Sequence, residues 1–374
     1  MKKLCVCLLI IAFNGCGSSD ENAKTNQDTD TSAAEVSVLN EPMGSRSFQF
    51  RYITTLEPSS KKVEVWIPVP QSNEVQTISN IELDNDGVSC SLQTEGRHGN
   101  KYYYCAEDKG LDRERTLTLV CDVVRKEHSA VSYADLDSKL YGKGTNNQYV
   151  MEGPLFNEII ADNNLTASDM KGVYSYVLNG MHYGKPKDNT DSDQYYSGTN
   201  PKTGERWLSN DGAYGIYDYS LDEVVDFYKT SLNDENRYTF GNGNSNYACQ
   251  VGVGNCTDYH SYFMSLCRTM DIPARFHMGF SVPNKADEGP IGGYHCWADY
   301  YIDGEGWYPV DISNADKDPS MREYFFGKVC NDRVEFTTGR DLDLVNYGEE
   351  VNFFIYPLVK GTTLAGKSFS YKNL

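Results

Sequence analysis

Cys256 follows Gly254-Asn255 and opens a run in which Tyr259, Phe263, Leu266 and Met270 recur at helical spacing before Pro273. That spacing predicts a helix beginning at the cysteine and stopped by the proline. At a helix start, unpaired N–H groups and the positive end of the macrodipole lower a thiol's pKa and favour its nucleophilic thiolate. The same N–H groups offer donors to an oxyanion formed by attack at the cysteine. A cysteine so placed is not sufficient by itself, because most cysteines are small core residues. A base and a group to orient it are also required.

Six histidines are available: His98, His128, His182, His260, His277 and His295. His260 lies four residues past Cys256 on the same predicted helix and is within reach by spacing. His295 lies in a stretch, Tyr294 to Tyr301, that alternates like a strand; Asp303-Gly304-Glu305-Gly306 then turns, and Trp307 to Asp311 returns. With the turn centred on Asp303, His295 faces Asp311, where cross-strand Cβ atoms stand about 4.5–5.5 Å apart and a carboxylate can hold an imidazole in one tautomer. A one-residue shift in the loop would place them diagonally. Taken singly, His295 and Asp311 read as ordinary strand residues near a turn. Together with Cys256 they form a candidate nucleophile, base and orienting acid.

The motifs around these residues resemble the core of the transglutaminase-like superfamily. They are Gly254-Asn255-Cys256, Arg268 with Asp271-Ile272-Pro273-Ala274-Arg275 and Gly279, His295-Cys296-Trp297-Ala298-Asp299, and Gly306-Trp307-Tyr308-Pro309-Val310-Asp311. Tyr324-Phe325-Phe326-Gly327, Arg333-Val334, Gly339-Arg340-Asp341 and Asn352 to Pro357 resemble the tail of exported bacterial members. Trp66-Ile67-Pro68-Val69-Pro70, near Gln76, resembles their N-terminal β domain. The likeness spans about residues 46–360. It departs from the family pattern where Asp271 replaces a usual glycine and Asp299 a common glutamate, and in a longer loop at 185–219. The resemblance implies a papain-like triad with Cys256 as nucleophile, His295 as base and then acid, and Asp311 as orienter. Gln250, six residues before Cys256, has the spacing of the papain-like oxyanion glutamine; animal transglutaminases use an upstream tryptophan instead, and Trp207 is the only tryptophan between the β domain and the nucleophile.

The elements that must position these residues follow from periodicity. From Ser45 to about Arg125 apolar residues alternate, as in Phe48, Phe50 and Tyr52 and in Leu117, Leu119, Cys121 and Val123, with turn signals at 85–87 and 98–100. An antiparallel β-sandwich is expected over 45–130, acting as a packing or substrate-orienting module. Residues 131–374 are expected to form a transglutaminase-like catalytic domain, so the whole is α+β, with the nucleophile at a helix N-terminus beside an antiparallel sheet. Met170 to Met181 reads as an amphipathic helix capped by Ser168, and Ser220 to Leu232 as a second with a Ser220–Glu223 capping box. The polar, Gly- and Tyr-rich stretch 185–219 is a functional loop or lid by its length. Asp188, Asp191 and Asp193 within it depart from EF-hand spacing and read as a solvated acidic loop rather than a calcium site.

The first residues, Met1-Lys2-Lys3, an apolar run from Leu4 to Phe13 and Asn14-Gly15-Cys16, form an export signal over 1–15. The run is shorter than the roughly 20 residues of a membrane span. Gly15-Cys16 resembles the lipobox of bacterial lipoproteins, although Phe13 and Asn14 are not its preferred residues, so Cys16 is the lipidation candidate and 16–44 a disordered tether. This places the protein in the cell envelope, anchored to the membrane by lipid, or secreted after ordinary signal cleavage. With 34 Lys+Arg against 53 Asp+Glu the net charge is −19, which excludes nucleic acid as a natural partner. No cysteine pair has zinc-ligand spacing, so neither metal nor cofactor is expected, while Cys90 and Cys105 could staple a hairpin. The reading is an exported thiol acyl-transfer enzyme that hydrolyses peptide or glutamine amides through a Cys256 thioester. Its alternatives are an amine-accepting, crosslinking transglutaminase and a non-catalytic binding lipoprotein on the same fold.

Overall fold

Between Ser45 and Leu56 alternate side chains turn inward, and the segment forms strand β1. The computed structural model describes residues 44–374 apart from 135, 146, 147, 185–207, 209, 210 and 232–237. The expected signal, the Cys16 anchor, nearly all of the tether, the three loop aspartates and Trp207 therefore lie outside the described residues. After β1 come β2 (Val63–Val69), β3 (Gln76–Asp84), β4 (Ser89–Thr94), β5 (Lys101–Glu107) and β6 (Arg115–Lys126). All pair antiparallel, and Phe48, Phe50, Tyr52, Val65, Ile67 and Leu119 share one core. Cys90 and Cys105 are a cross-strand pair of β4 and β5 and are joined by a disulfide.

The period then changes to helical, giving α1 (Pro154–Asp162), α2 (Met170–Gly180), the short strand β7 (His182–Tyr183), α3 (Leu221–Ser231) and α4 (Ser245–Val251). The cap of α2 is Asp169 rather than the expected Ser168. Its carboxylate accepts from the Gly172 amide at 2.8 Å, and a charge is favoured at the positive end of a helix. The Ser220–Glu223 capping box closes on α3 as its spacing predicts, with Glu223 Oε2 accepting from the Ser220 amide at 2.8 Å.

Next come β8 (Val253–Gly254), α5 (Cys256–Thr269), β9 (Ala274–Ser281), β10 (Glu288–Ile291), β11 (His295–Ile302), β12 (Gly306–Val310), α6 (Ile312–Lys317), β13 (Arg333–Thr338), β14 (Leu358–Lys360) and β15 (Leu364–Asn373). A four-stranded antiparallel sheet, β12-β11-β9-β13, lies against α5, while β7 and β8 form a small parallel pair. The last strands return to the sandwich. β15 pairs with β1, β10 with β15, and β14 with β2, so the two sandwich sheets draw on chain from both sides of residue 130.

The sandwich docks on the second sheet through a buried amide. Gln76 on β3 donates to the Glu335 carbonyl at 2.9 Å and accepts from the Glu335 amide at 3.0 Å. That exchange imitates a backbone ladder and satisfies both the amide and the carbonyl of Glu335 at the joint.

Candidate active site

Helix α4 ends at Gly252, whose left-handed φ of 71° turns the chain toward α5; a Cβ there would lie 2.1 Å from the Gly215 amide nitrogen. Asn255 caps α5. Its side chain accepts from Thr257 at 2.9 Å while Asp258 accepts the Asn255 amide at 3.0 Å, a capping box that sequence reading did not anticipate. The amides of Asp258 and Tyr259 both reach the Asn255 carbonyl. Among the described residues, the amide of Cys256 is left as the first turn's free donor. Its thiol is buried, at 3% exposure.

His295 opens β11 opposite Gly279 of β9. Glycine is required at 279 because a Cβ would lie 1.9 Å from the Val334 carbonyl oxygen of β13. The β11–β12 ladder runs from Ala298↔Val310 to Ile302↔Gly306, which centres the turn on Gly304 rather than on Asp303. The reason is a three-residue loop with positive φ at Gly304 (76°). Continuing the register sets Trp297 level with Asp311, so Asp311 meets His295 diagonally. The contact is nonetheless made: His295 Nε2 lies 2.7 Å from Asp311 Oδ2. With Nε2 so engaged, Nδ1 is the ring nitrogen left to exchange a proton with the Cys256 thiol, whose pKa His295 lowers. Asp311 also caps α6, taking the Asn314 amide at 3.1 Å, and Arg333 reaches its Oδ2 at 3.2 Å.

Burial by itself would push the Cys256 thiol up. Hydrogen bonds with Cys296 and His295, followed by the His295 charge, outweigh it and hold the thiol well below its ordinary value. Burial likewise opposes charge on His295, but Asp311 and Cys256 raise it above an ordinary histidine. Asp311 is held below the carboxylate range by His295 and Arg333 despite burial. These directions favour a thiolate–imidazolium pair. Asp258 runs the other way: burial pushes it up to about 7 against three backbone N–H donors.

His260, the rival base, has both ring nitrogens occupied. Nδ1 donates to the Cys256 carbonyl at 2.6 Å, and Nε2 accepts the Ile312 amide at 3.1 Å. Burial pushes its pKa down to about 4, so it is a neutral bridge from α5 to α6. Gln250 lies on α4, where its Oε1 accepts from the Tyr238 hydroxyl at 2.7 Å; none of the described contacts joins it to Cys256. Cys296 was not singled out by sequence. Its Sγ lies 3.7 Å from Thr257 Oγ1 and 3.9 Å from His260 Nδ1, and its own pKa is raised by burial and by Cys256. The S–H of Cys296 donates to Thr257 Oγ1, and Cys296 is among the groups that lower the Cys256 pKa.

Behind the triad lies a second buried network. His277 is held between Asp299 (2.9 Å) and Glu335 (2.6 Å), and Arg275 closes on Asp299 at 2.5 Å. Trp297 stacks on His277 at 5.5 Å and carries the Arg333 guanidinium at 4.9 Å, which connects this network to Asp311. Alternation alone could have pointed to it, since residues 295, 297 and 299 share a face of one strand. The described residues contain no group of three or more His, Cys, Asp or Glu suited to a metal.

Residues 211–312 match the family model of the transglutaminase-like superfamily, a segment that contains Cys256, His295 and Asp311. An uncharacterized protein of Haemophilus influenzae is 32% identical across 35% of this chain, and the match spans 45% of that relative's own length. A solved structure of a cysteine-protease candidate from Cytophaga hutchinsonii aligns with 89% of this chain and 99% of its own, at 12% identity and a TM-score of 0.47.

Proposed function

We propose that this chain, a member of the transglutaminase-like superfamily, is a thiol acyl-transfer enzyme that hydrolyses peptide or glutamine amide bonds through a thioester on Cys256. The observation that carries the proposal is Cys256 at the first residue of α5 together with His295, which is hydrogen-bonded to Asp311 at 2.7 Å and lowers the pKa of the thiol. In the proposed reaction the Cys256 thiolate attacks the carbonyl carbon, and the oxyanion is received by the free Cys256 amide at the helix start. His295 gives its proton to the leaving nitrogen as the C–N bond breaks, leaving a thioester. Neutral His295 then takes a proton from water, whose oxygen attacks the thioester carbonyl. Loss of the acid restores thiolate and imidazolium. Asp311 keeps the imidazole oriented and remains ionised. His260 takes no proton in this scheme because both its nitrogens are committed.

Export and a lipid anchor at Cys16 belong to the same proposal. They rest on the pattern of residues 1–16 and are in keeping with the Cys90–Cys105 disulfide, a bond typical of oxidising compartments.

The test is intact-mass analysis of protein incubated with a glutamine-containing protein and a labelled primary amine, with Cys256→Ala alongside. Cys256-dependent cleavage or amide-to-acid conversion is the expected result. Cys256-dependent amine incorporation would replace hydrolysis by transglutamination. No Cys256-dependent product across a broad panel would favour a binding protein on the same fold.

A further inference from the structure

Lys317 ends α6, six residues after Asp311, and is only 6% exposed. Lysine is rarely buried to this degree without an acidic partner. Among the described residues no carboxylate pairs with its ammonium, which instead lies 3.7 Å from the centroid of the Tyr183 ring. The neighbouring Asp316 is occupied elsewhere, accepting from the Tyr183 amide at 3.0 Å and the Tyr259 hydroxyl at 2.9 Å.

Tyr183 fixes where this charge sits. It is paired with Gly254 in the β7–β8 ladder, two residues before Cys256, and the next amide, Gly184, donates to the Gly254 carbonyl at 3.2 Å. The ring under the ammonium is thus tied to the strand that delivers the nucleophile. Lys317's charge is also among those that lower the Cys256 pKa. In the resting ion-pair state the thiolate balances the imidazolium, and Asp311 balances Arg333. Asp258 has its carboxylate turned to the amides of Gly241, Gly243 and Asn255. Lys317 has no ion-pair partner among the described residues, while the neighbouring Asp316 is held by the Tyr183 amide and the Tyr259 hydroxyl, in a setting where charge is poorly screened.

We propose that Lys317 supplies the missing match from the substrate: it selects acyl donors that carry a carboxylate close to the attacked carbonyl. The proposal rests on the acyl-transfer reading for its substrate and on the burial and placement of Lys317 for its charge preference. A carboxylate can come from an acidic side chain or from a peptide's own C-terminus, and the two are chemically alike at this distance.

The deciding experiment compares alkylation of Cys256 by iodoacetate and by iodoacetamide in the full-length protein, read by peptide mass spectrometry. Each reagent loses iodide as the thiolate sulfur bonds to carbon, so the ratio of the two rates cancels the thiolate fraction. Lys317→Gln is expected to lower the iodoacetate-to-iodoacetamide ratio by about fivefold at low salt, whereas Lys317→Arg keeps it. Lys317→Met, which retains the aliphatic stem over Tyr183, replaces the Gln variant if that one lacks a cooperative melt. An unchanged ratio in the neutral variant overturns the proposal, even where both alkylations slow together, since that pattern means Lys317 only tunes the thiol.

Turnover supplies the second arm. Peptides with Glu or Gln beside the reacting amide, and with free or amidated C-termini, are expected to show which carboxylate raises kcat/KM in wild type but not in Lys317→Gln. Equal kcat/KM for all of them overturns the substrate preference. A Lys317-dependent alkylation ratio without Cys256-dependent turnover upholds the anion site and removes the hydrolase reading instead.

Discussion

Nε2 of His295 donates to Oδ2 of Asp311 at 2.7 Å, and the Arg333 guanidinium reaches that same oxygen at 3.2 Å. The carboxylate thus faces two cations in a site with almost no solvent, which keeps it ionised and fixes the ring. Asp311→Asn is expected to lower kcat by about a thousandfold or more while the fold survives, because the amide can hold the wrong tautomer. Arg333→Met leaves the buried Asp311 short of one partner, and a stability loss of about 3 kcal/mol is expected in denaturant melts.

The thiolate–imidazolium pair sets the pH profile. Activity requires Cys256 deprotonated and His295 protonated, so kcat/KM should rise as pH passes the lowered Cys256 pKa and fall as pH passes the raised His295 pKa. Alkylation of Cys256 well below the free-cysteine value of about 8.5 is the accompanying observation. Cys296→Ala removes a group that lowers the Cys256 pKa and should move the acid limb to higher pH. An unmoved limb would show that Cys296 only fills space.

His260→Ala separates bridge from base. Losing its links to the Cys256 carbonyl and the Ile312 amide should cost about 2 kcal/mol of stability, while both limbs of the pH profile stay in place. A vanished limb would return His260 to the chemistry.

Gln250 tests the side-chain half of the oxyanion site. If Gln250 serves the oxyanion, Nε2 is its donor because Oε1 is held by Tyr238, and Gln250→Ala then lowers kcat by about a hundredfold with little change in KM. Full activity in that variant would leave the Cys256 amide as the whole oxyanion site.

The network behind the triad makes stability pH-dependent. Asp299 and Glu335 are held below their ordinary values, mainly by Arg275 and His277, against burial. Their contribution is present above the unfolded carboxylate values of about 4 and is lost as pH falls through the lower folded ones. His277 is raised by Asp299 and Glu335 against burial, so its contribution is complete below about 6.5 and is lost as pH rises through its raised value. Thermal melts should therefore peak in mildly acidic buffer, and Glu335→Gln should flatten the acid side.

What could be read in the sequence was local. Cys256 at a helix start, the Ser220–Glu223 box and the hairpin carrying His295 depend on residues within a few turns or across one loop, and spacing alone expresses them. Even there the turn centre was one residue out and the facing pair two, because the loop geometry at Gly304, and not composition, decides which residues face each other. The Asp169 cap shows the same limit, since Ser168 and Asp169 are equally good signals until the backbone chooses.

Tertiary structure alone decided the rest. β14 and β15 complete sheets begun some 300 residues earlier, a pairing whose hydrogen bonds leave no periodic trace that links the two segments. Whether His260 is a base or a bridge depends on the Ile312 amide, 52 residues away in sequence. Lys317 became notable only when the fold buried it beside Tyr183 without an acid, because burial sets the cost of a charge and a sequence does not state burial.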